Sequence, residues 1–297
     1  MGNASISSQR SLNAVVFATD FSPCSTNAGH YAALIARQFD ADLLICHAFE
    51  LSQAAMEVEA ESSRAVKSEQ RRDNEATLRE MAHRFRDGAR CIAPMLLEGD
   101  PREQVPKLAS TLVPAYIVLG TEGRGRIERE LIGSVAEGIL RRASVPTITV
   151  GPHAPSYENS GKQIHRIVYA TGLSPAAAHA AGHAVEIARA SQAELHVLHV
   201  IHPEDVEDEK RMSEIRRQFG TIVESIAQDH AERIINPAGF VEIGNAHRQI
   251  LHHVRQFSAD LLVLGVRKTS HLWLEARRSG AFQIIAEAPC PVMTIVR

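Results

Sequence analysis

AVVFATDFSPCSTNAGHYAALIARQFDADLLICHAF, at residues 14–49, is written again in altered form as RIVYATGLSPAAAHAAGHAVEIARASQAELHVLHVI at residues 166–201. At a constant offset of 152, Thr19 meets Thr171, Ser22 meets Ser174, Pro23 meets Pro175, Ala36 meets Ala188 and His47 meets His199. Further along the offset becomes 145: AYIVLGTEG (115–123) matches DLLVLGVRK (260–268), and VPTITV (145–150) matches CPVMTIV (290–296). The change falls in the polar middle of each half. A self-similar chain is read first through its repeat unit. The repeat predicts two tandem domains, residues 11–151 and 164–297, joined by PHAPSYENSGKQ (152–163), whose Pro, Gly, Ser and Asn are linker residues.

Within the unit, AVVFAT is an uninterrupted apolar run, the pattern of a strand covered on both faces. Pro23 then stands where the first turn of a helix tolerates a missing N–H. Ala28, Tyr31, Ala32, Ile35 and Phe39 recur at helical spacing as one apolar face. DLLICHAF predicts the second strand, and the charged, Ala-rich stretch from about 57 to 87 predicts a long solvated helix. CIAPMLL, AYIVLG and PTITV predict three more strands, separated by helices over PREQVPKLAST and GSVAEGILRRA. Alternating strands and helices with continuous apolar strands predict an α/β fold. Each half is expected to be an open, twisted, five-stranded parallel sheet of Rossmann-like type with helices on both faces.

Composition excludes several classes. The 297 residues are 44% hydrophobic and 23% charged, which is ordinary for a globular chain. With 32 Lys+Arg against 35 Asp+Glu the net charge is −3, so no nucleic-acid partner is expected. No stretch approaches the roughly 20 continuous apolar residues of a membrane span, so no membrane partner is expected. MGNASISSQR lacks the apolar core of a secretory signal, and Ile6 stands where a myristoylation motif wants Ser or Thr; the segment reads as a polar tail. Cys24, Cys46, Cys91 and Cys290 form no C-x-x-C pair and suit unpaired thiols in a reducing compartment, so a cytoplasmic location is expected. A reactive thiol is the minor alternative.

In an open parallel sheet, ligands bind beyond the carboxyl ends of the strands, where strand order reverses. Two places have suitable chemistry. Asp20, just after the first strand, either accepts from an exocyclic amine or a ribose hydroxyl, or caps the helix that begins near Pro23. The other place is LGTEGRGRIERELIGSV (119–135). There Gly120 leaves room for a ligand against the backbone, and Gly123 permits a positive φ. Gly133 and Ser134 open a helix, offering free N–H groups and a hydroxyl to phosphate. Arg124, Arg126 and Arg129 either reach phosphate or are simply solvated, and Asp100 reads as the cap of the helix starting at Pro101.

The spacing Gly120-x2-Gly123-x9-Gly133-Ser134, together with ATDFS at 18–22 and the doubled element order, resembles the universal stress protein family over essentially the whole chain. The resemblance implies adenine-nucleotide-binding domains of the adenine-nucleotide α-hydrolase-like type, in a stress-response regulator that binds ATP, often with Mg2+ on the phosphates, and shows little catalysis. It sets Asp20 on the adenine side beside Ala18 and Thr19, and Ala48 against the base through its backbone. Leu119, Gly120, Gly123 and Arg124 fall along the ribose and phosphates, and Gly133, Ser134 and Val135 hold the phosphates. It also implies that the two halves pair through PTITV and PVMTIV as an internal pseudo-dimer, with a homodimer of the tandem chain as a further option.

The second half departs from that pattern. Asp20 becomes Gly172, Gly123 becomes Lys268 and Gly133 becomes Arg278; only Gly265 and Ser279 persist. Nucleotide is therefore expected in the N-terminal half only, the alternative being that these cations hold phosphate themselves. HLWL (271–274) either folds over the lost pocket or makes a subunit contact. No metal site is expected. His179 and His183 have metal-like i, i+4 spacing, but His183 aligns with Tyr31 on the apolar face. His196, His199 and His202 cannot converge from one strand, and His252 and His253 point apart on a helix. No nucleophile–base–acid set is visible, and the loop lacks the Lys of a P-loop. The expected activity is binding, with slow ATP hydrolysis at most; a ligand-free structural or partner-binding protein and an enzyme acting on an adenylate-like substrate are the rival readings.

Overall fold

The computed structural model describes residues 12–49, 60–86, 89–122, 132–156, 163–228, 237–266 and 280–296. The first half runs β1 (Ala14–Ala18), α1 (Pro23–Gln38), β2 (Asp42–Phe49), α2 (Ala60–Arg84), β3 (Ile92–Glu98), α3 (Pro101–Ser110), β4 (Ala115–Gly120), α4 (Ser134–Arg142) and β5 (Thr147–Val150). The second half runs β6 (Arg166–Ala170), α5 (Pro175–Ser191), β7 (Glu194–Ile201), α6 (Glu209–Gln228), β8 (Ala238–Ile243), α7 (Ala246–Gln256), β9 (Leu261–Val266), α8 (Gly280–Glu287) and β10 (Val292–Val296).

Each half is a five-stranded parallel sheet, in the orders β3-β2-β1-β4-β5 and β8-β7-β6-β9-β10. The two last strands lie side by side and pair antiparallel, Val292 opposite Thr149 and Thr294 opposite Thr147, so all ten strands form one sheet. The continuous apolar runs follow from burial on both faces. Along β1, Val15 and Phe17 enter the core under α1 and α2, while Val16 enters the one under α3 and α4. The same split holds in the second half, where Tyr169 faces α5 and α6, and Val168 faces α7 and α8.

Local chemistry sets the turns that carry the site. Ser22 caps α1 by accepting from the Ser25 N–H, and Pro23 follows it in the first turn. The Thr19 hydroxyl accepts the Phe21 N–H at 2.9 Å and holds Phe21 at φ 63°, a left-handed conformation unusual for a bulky residue. The repeat preserves this device: Thr171 accepts from Leu173, whose φ is 52°. Asp100 caps α3 through the Arg102 N–H, as its position predicts. Strand order reverses between β1 and β4, so the crevice for a ligand opens at their carboxyl ends.

Candidate functional site

A cavity of about 560 Å3 occupies that crevice, a volume within the range of roughly 300–1,000 Å3 usual for small-molecule sites. Its wall takes Ala18, Thr19 and Asp20 from the end of β1, Cys46, His47 and Ala48 from β2, Leu119 to Glu122 from the end of β4, and Gly133 to Ala136 from the start of α4. Pro101 and Val105 of α3, Ile139 of α4 and Ser25 of α1 complete it. Ala18, Thr19, Asp20, Ala48, Leu119, Gly120, Gly133, Ser134 and Val135 were all anticipated from sequence, and all line this one cavity. Gly123 and Arg124, with Arg126 and Arg129, lie outside the described residues. Cys46, His47, Thr121, Glu122 and the α3 residues were not anticipated. The repeat marks His47, which recurs as His199, but Glu122 carries no signal beyond lying between two motif glycines.

The α4 end of the cavity presents backbone amides of the kind that can receive an anion. Gly133 is the N-cap and has no side chain to offer, and the first intrahelical bond runs from the Glu137 N–H to the Gly133 carbonyl at 2.8 Å. The N–H groups of Ser134, Val135 and Ala136 therefore have no acceptor within the helix and meet the cavity at the positive end of the helix dipole. One expectation is corrected. The Gly133 N–H is not free, because it donates to the Thr121 carbonyl at 2.7 Å. This bond pins the two ends of the intervening loop together, so the donor set shifts one residue along, to 134–136.

Two further readings change with the structure. Gly120 leaves space for protein as well as for ligand: a Cβ there would stand 3.1 Å from both the Cys24 Sγ and the Ser25 amide nitrogen. The bare backbone thus lets the first turn of α1 pack on β4. Asp20 does not cap α1, since Ser22 fills that role; its Oδ1 instead accepts the Ser22 N–H at 3.0 Å while the residue lines the cavity. His47 sits behind it, with Nδ1 2.8 Å from the Thr19 carbonyl. A carbonyl only accepts, so Nδ1 carries the proton. The His47 ring packs on Phe21 at 4.4 Å.

Cys46 and Cys290 are buried as small apolar residues, Cys24 is half-buried and Cys91 is exposed. Burial pushes the Cys46 thiol up to about 12 and Cys290 higher still, which keeps both protonated. Cys24 is raised by burial and also by the Glu122 and Asp20 carboxylates. Among the described residues no group of three or more His, Cys, Asp or Glu could hold a metal ion by itself. His183 is a part-buried contact between the halves, its Nδ1 3.1 Å from the Tyr116 hydroxyl of β4. His196 and His253 pack together among Phe240 and Phe257, with ring nitrogens 3.3 Å apart.

In the second half, the positions aligned with Cys46 and Ala48 hold Leu198 and Val200, and Thr121 is matched by Val266. Leu198 is fully buried. Leu198 and Val200 are larger than the Cys46 and Ala48 they replace, while Val266 exchanges the Thr121 hydroxyl for a methyl group. Lys268, Arg278, Ser279 and the HLWL segment lie outside the described residues.

The family model of the universal stress protein family matches residues 12–151 and again 163–296. The chain belongs to the universal stress protein family. The universal stress protein MJ0531 of Methanocaldococcus jannaschii is 30% identical over 137 residues, a match covering 46% of this chain and 80% of that one. A universal stress protein crystal structure from Archaeoglobus fulgidus superposes with a TM-score of 0.76 at 20% identity and covers 96% of both chains. A putative universal stress protein from Pseudomonas aeruginosa superposes with a TM-score of 0.60 at 13% identity, over 97% of this chain and 94% of that one. These two likenesses establish the tandem fold. No helix among the described residues is long and apolar enough to cross a membrane.

Proposed function

We propose that this tandem universal stress protein is an adenine-nucleotide-binding regulator that holds ATP in its N-terminal half alone. The observation that carries the reading is the convergence of Asp20, Ala48, Gly120 and the Ser134–Ala136 amides on one cavity. The base and ribose lie toward Asp20 and Ala48, and the phosphates lie on the start of α4. The second half, with Leu198 and Val200 in the matching wall and Lys268 and Arg278 in place of motif glycines, serves as a structural partner without nucleotide. No residue of the described wall forms a nucleophile–base pair, so the function is binding, with slow hydrolysis at most.

The test is whether ATP co-purifies with the protein or raises its melting temperature. At a ligand concentration 100 times Kd, mass action stabilises the native state by about 2.7 kcal/mol, which at this size is a rise of about 4 °C. Gly133→Arg, which copies the second half, puts a long cation into the phosphate end of the cavity. It is expected to remove the ATP-induced shift while leaving the circular dichroism spectrum unchanged. An undiminished shift in that variant places the phosphates elsewhere.

A further inference from the structure

We propose that the outer edge of β8 is an interaction surface whose occupant is β8 of a second copy of this chain, paired antiparallel about a two-fold axis through Val241. The contact lies at the far end of the sheet from the β5–β10 seam, and it stands independently of the nucleotide reading. β3 and β8 are the two terminal strands. On β8 the Gly244 N–H donates to the Ile201 carbonyl of β7, and on β3 the Gly99 N–H donates to the Phe49 carbonyl of β2, each at 3.0 Å. Successive residues of a strand direct their backbone groups to opposite sides. The outward positions are therefore Gly239, Val241 and Ile243 on β8, and Pro94, Leu96 and Glu98 on β3.

The two edges differ in chemistry. The β3 edge is blocked in the manner of a solvent-facing edge: Pro94 has no N–H to give, Glu98 is held in an ion pair with Arg71 at 2.8 Å, and Leu96 packs on the core. The aligned β8 residues drop each device. Pro94 becomes Gly239, Leu96 becomes Val241 and Glu98 becomes Ile243. Val241 is 47% exposed and Ile243 52% exposed, where the first half keeps its edge covered or charged. Free amides beside exposed aliphatic side chains form a template for another strand.

The edge is complementary to itself. The Ile243 carbonyl already accepts from the Gln249 side-chain amide at 3.0 Å, which ends the free run there and centres it on Val241. With Val241 opposite Val241 of the second copy, Ile243 falls opposite Gly239 of that copy, where no side chain stands in the way. An added Cβ at Gly239 would lie 3.3 Å from Phe219 and 3.4 Å from Val223 of α6, so Ile243 meets apolar surface on that face. Glu242 then stands opposite Phe240. The register one residue along would set Glu242 against Glu242, and like charges directly opposite destabilise a pair. Because the β3 edge is closed, pairing β8 with itself consumes the open edge and stops at a dimer instead of growing into a fibre. The chain already joins its own two sheets through an antiparallel pair, at β5 and β10.

Sedimentation of the full chain across the micromolar range tests the proposal. The wild type is expected at twice the chain mass of 32.5 kDa. Val241→Lys, which sets two ammonium groups together on the axis, is expected to sediment as a monomer. Its circular dichroism spectrum should be unchanged, because the side chain is exposed in the single chain. Val241→Cys, made with Cys91→Ser to remove the exposed native thiol, is expected to cross-link into a covalent dimer on air oxidation. Facing residues of a hydrogen-bonded antiparallel pair lie about 5.5 Å apart at Cα, within reach of a disulfide. A monomeric wild type, or a Val241→Lys protein that stays dimeric, overturns the proposal, and a dimer that forms no cross-link overturns the register through Val241. Val241→Lys also isolates the single chain whose scattering reports the seam between the halves.

Discussion

Gly29, in the middle of α1, shows how a single residue's role depends on what packs against it. Helix propensity alone makes Gly→Ala there stabilising by about 1 kcal/mol, and the aligned position in the second half is indeed Ala181. In the first half, however, a Cβ at Gly29 would lie 2.6 Å from the Phe85 ring and 2.8 Å from the Phe17 ring. Neither ring can withdraw, since Phe85 is 4% exposed and Phe17 is 0% exposed. Overpacking a well-filled core costs about 1–3 kcal/mol, which outweighs the propensity gain. Gly29→Ala is expected to lower stability by about 1–2 kcal/mol in urea unfolding, and Phe85→Leu in the same chain should recover part of it. A stabilised Gly29→Ala protein contradicts the packing. Gly120 is a similar case: the sequence marks it as a glycine needed near a ligand, while the first turn of α1 supplies a second reason visible only in three dimensions.

At the scale of elements, β7 and α7 join through a buried histidine pair. His253 is 1% exposed and its Nδ1 finds no partner among the described residues. Burial, with His196 and His252 nearby, pushes His253 down to about 4; burial likewise lowers His196, beside Arg166 and Glu194. In the unfolded chain both titrate near 6.5. Below that pH the unfolded state takes up protons that the folded state refuses, so stability is full above about 6.5 and falls as the pH drops toward 4. The melting temperature is expected to decline over this window, and His253→Leu, which fits among Phe240 and Phe257, should flatten the decline between pH 6.5 and 5, above most carboxylate titrations. An unchanged slope in the variant assigns the acid sensitivity to other groups. The strands and helices themselves were legible in sequence almost to the residue, because both-face burial writes continuous apolar runs and Ser-Pro or Asp-Pro pairs write helix starts. The histidine pair was not legible, since strand and helix periodicity cannot say which elements become neighbours.

For the whole molecule, β5 and β10 join two parallel sheets into one, and Tyr116 reaches across to His183 and Glu186 at 3.1 and 3.4 Å. The Tyr31 hydroxyl and the Asn27 amide both donate to the Pro155 carbonyl, tying the start of the connecting segment to α1. Such a seam predicts one compact particle in solution. X-ray scattering should give a single-peaked pair-distance distribution, whereas a profile of two separated lobes contradicts an internal pseudo-dimer.

The sequence by itself determined that this protein is one α/β unit written twice, with Asp20, Gly123 and Gly133 of the motif present in the first copy and replaced by Gly172, Lys268 and Arg278 in the second. Those properties are local: strand burial, helix caps and backbone room are encoded within a few residues. Only the tertiary structure decided which groups share the cavity wall. It left the Ser134–Ala136 amides facing the cavity by binding Gly133 to Thr121, gave the α1 cap to Ser22 rather than Asp20, and set a Glu122 oxygen in the cavity wall without a hydrogen-bond partner among the described residues. Hydrogen-bond partners and desolvation depend on residues far apart in the chain, which a pattern of neighbours along the sequence does not record.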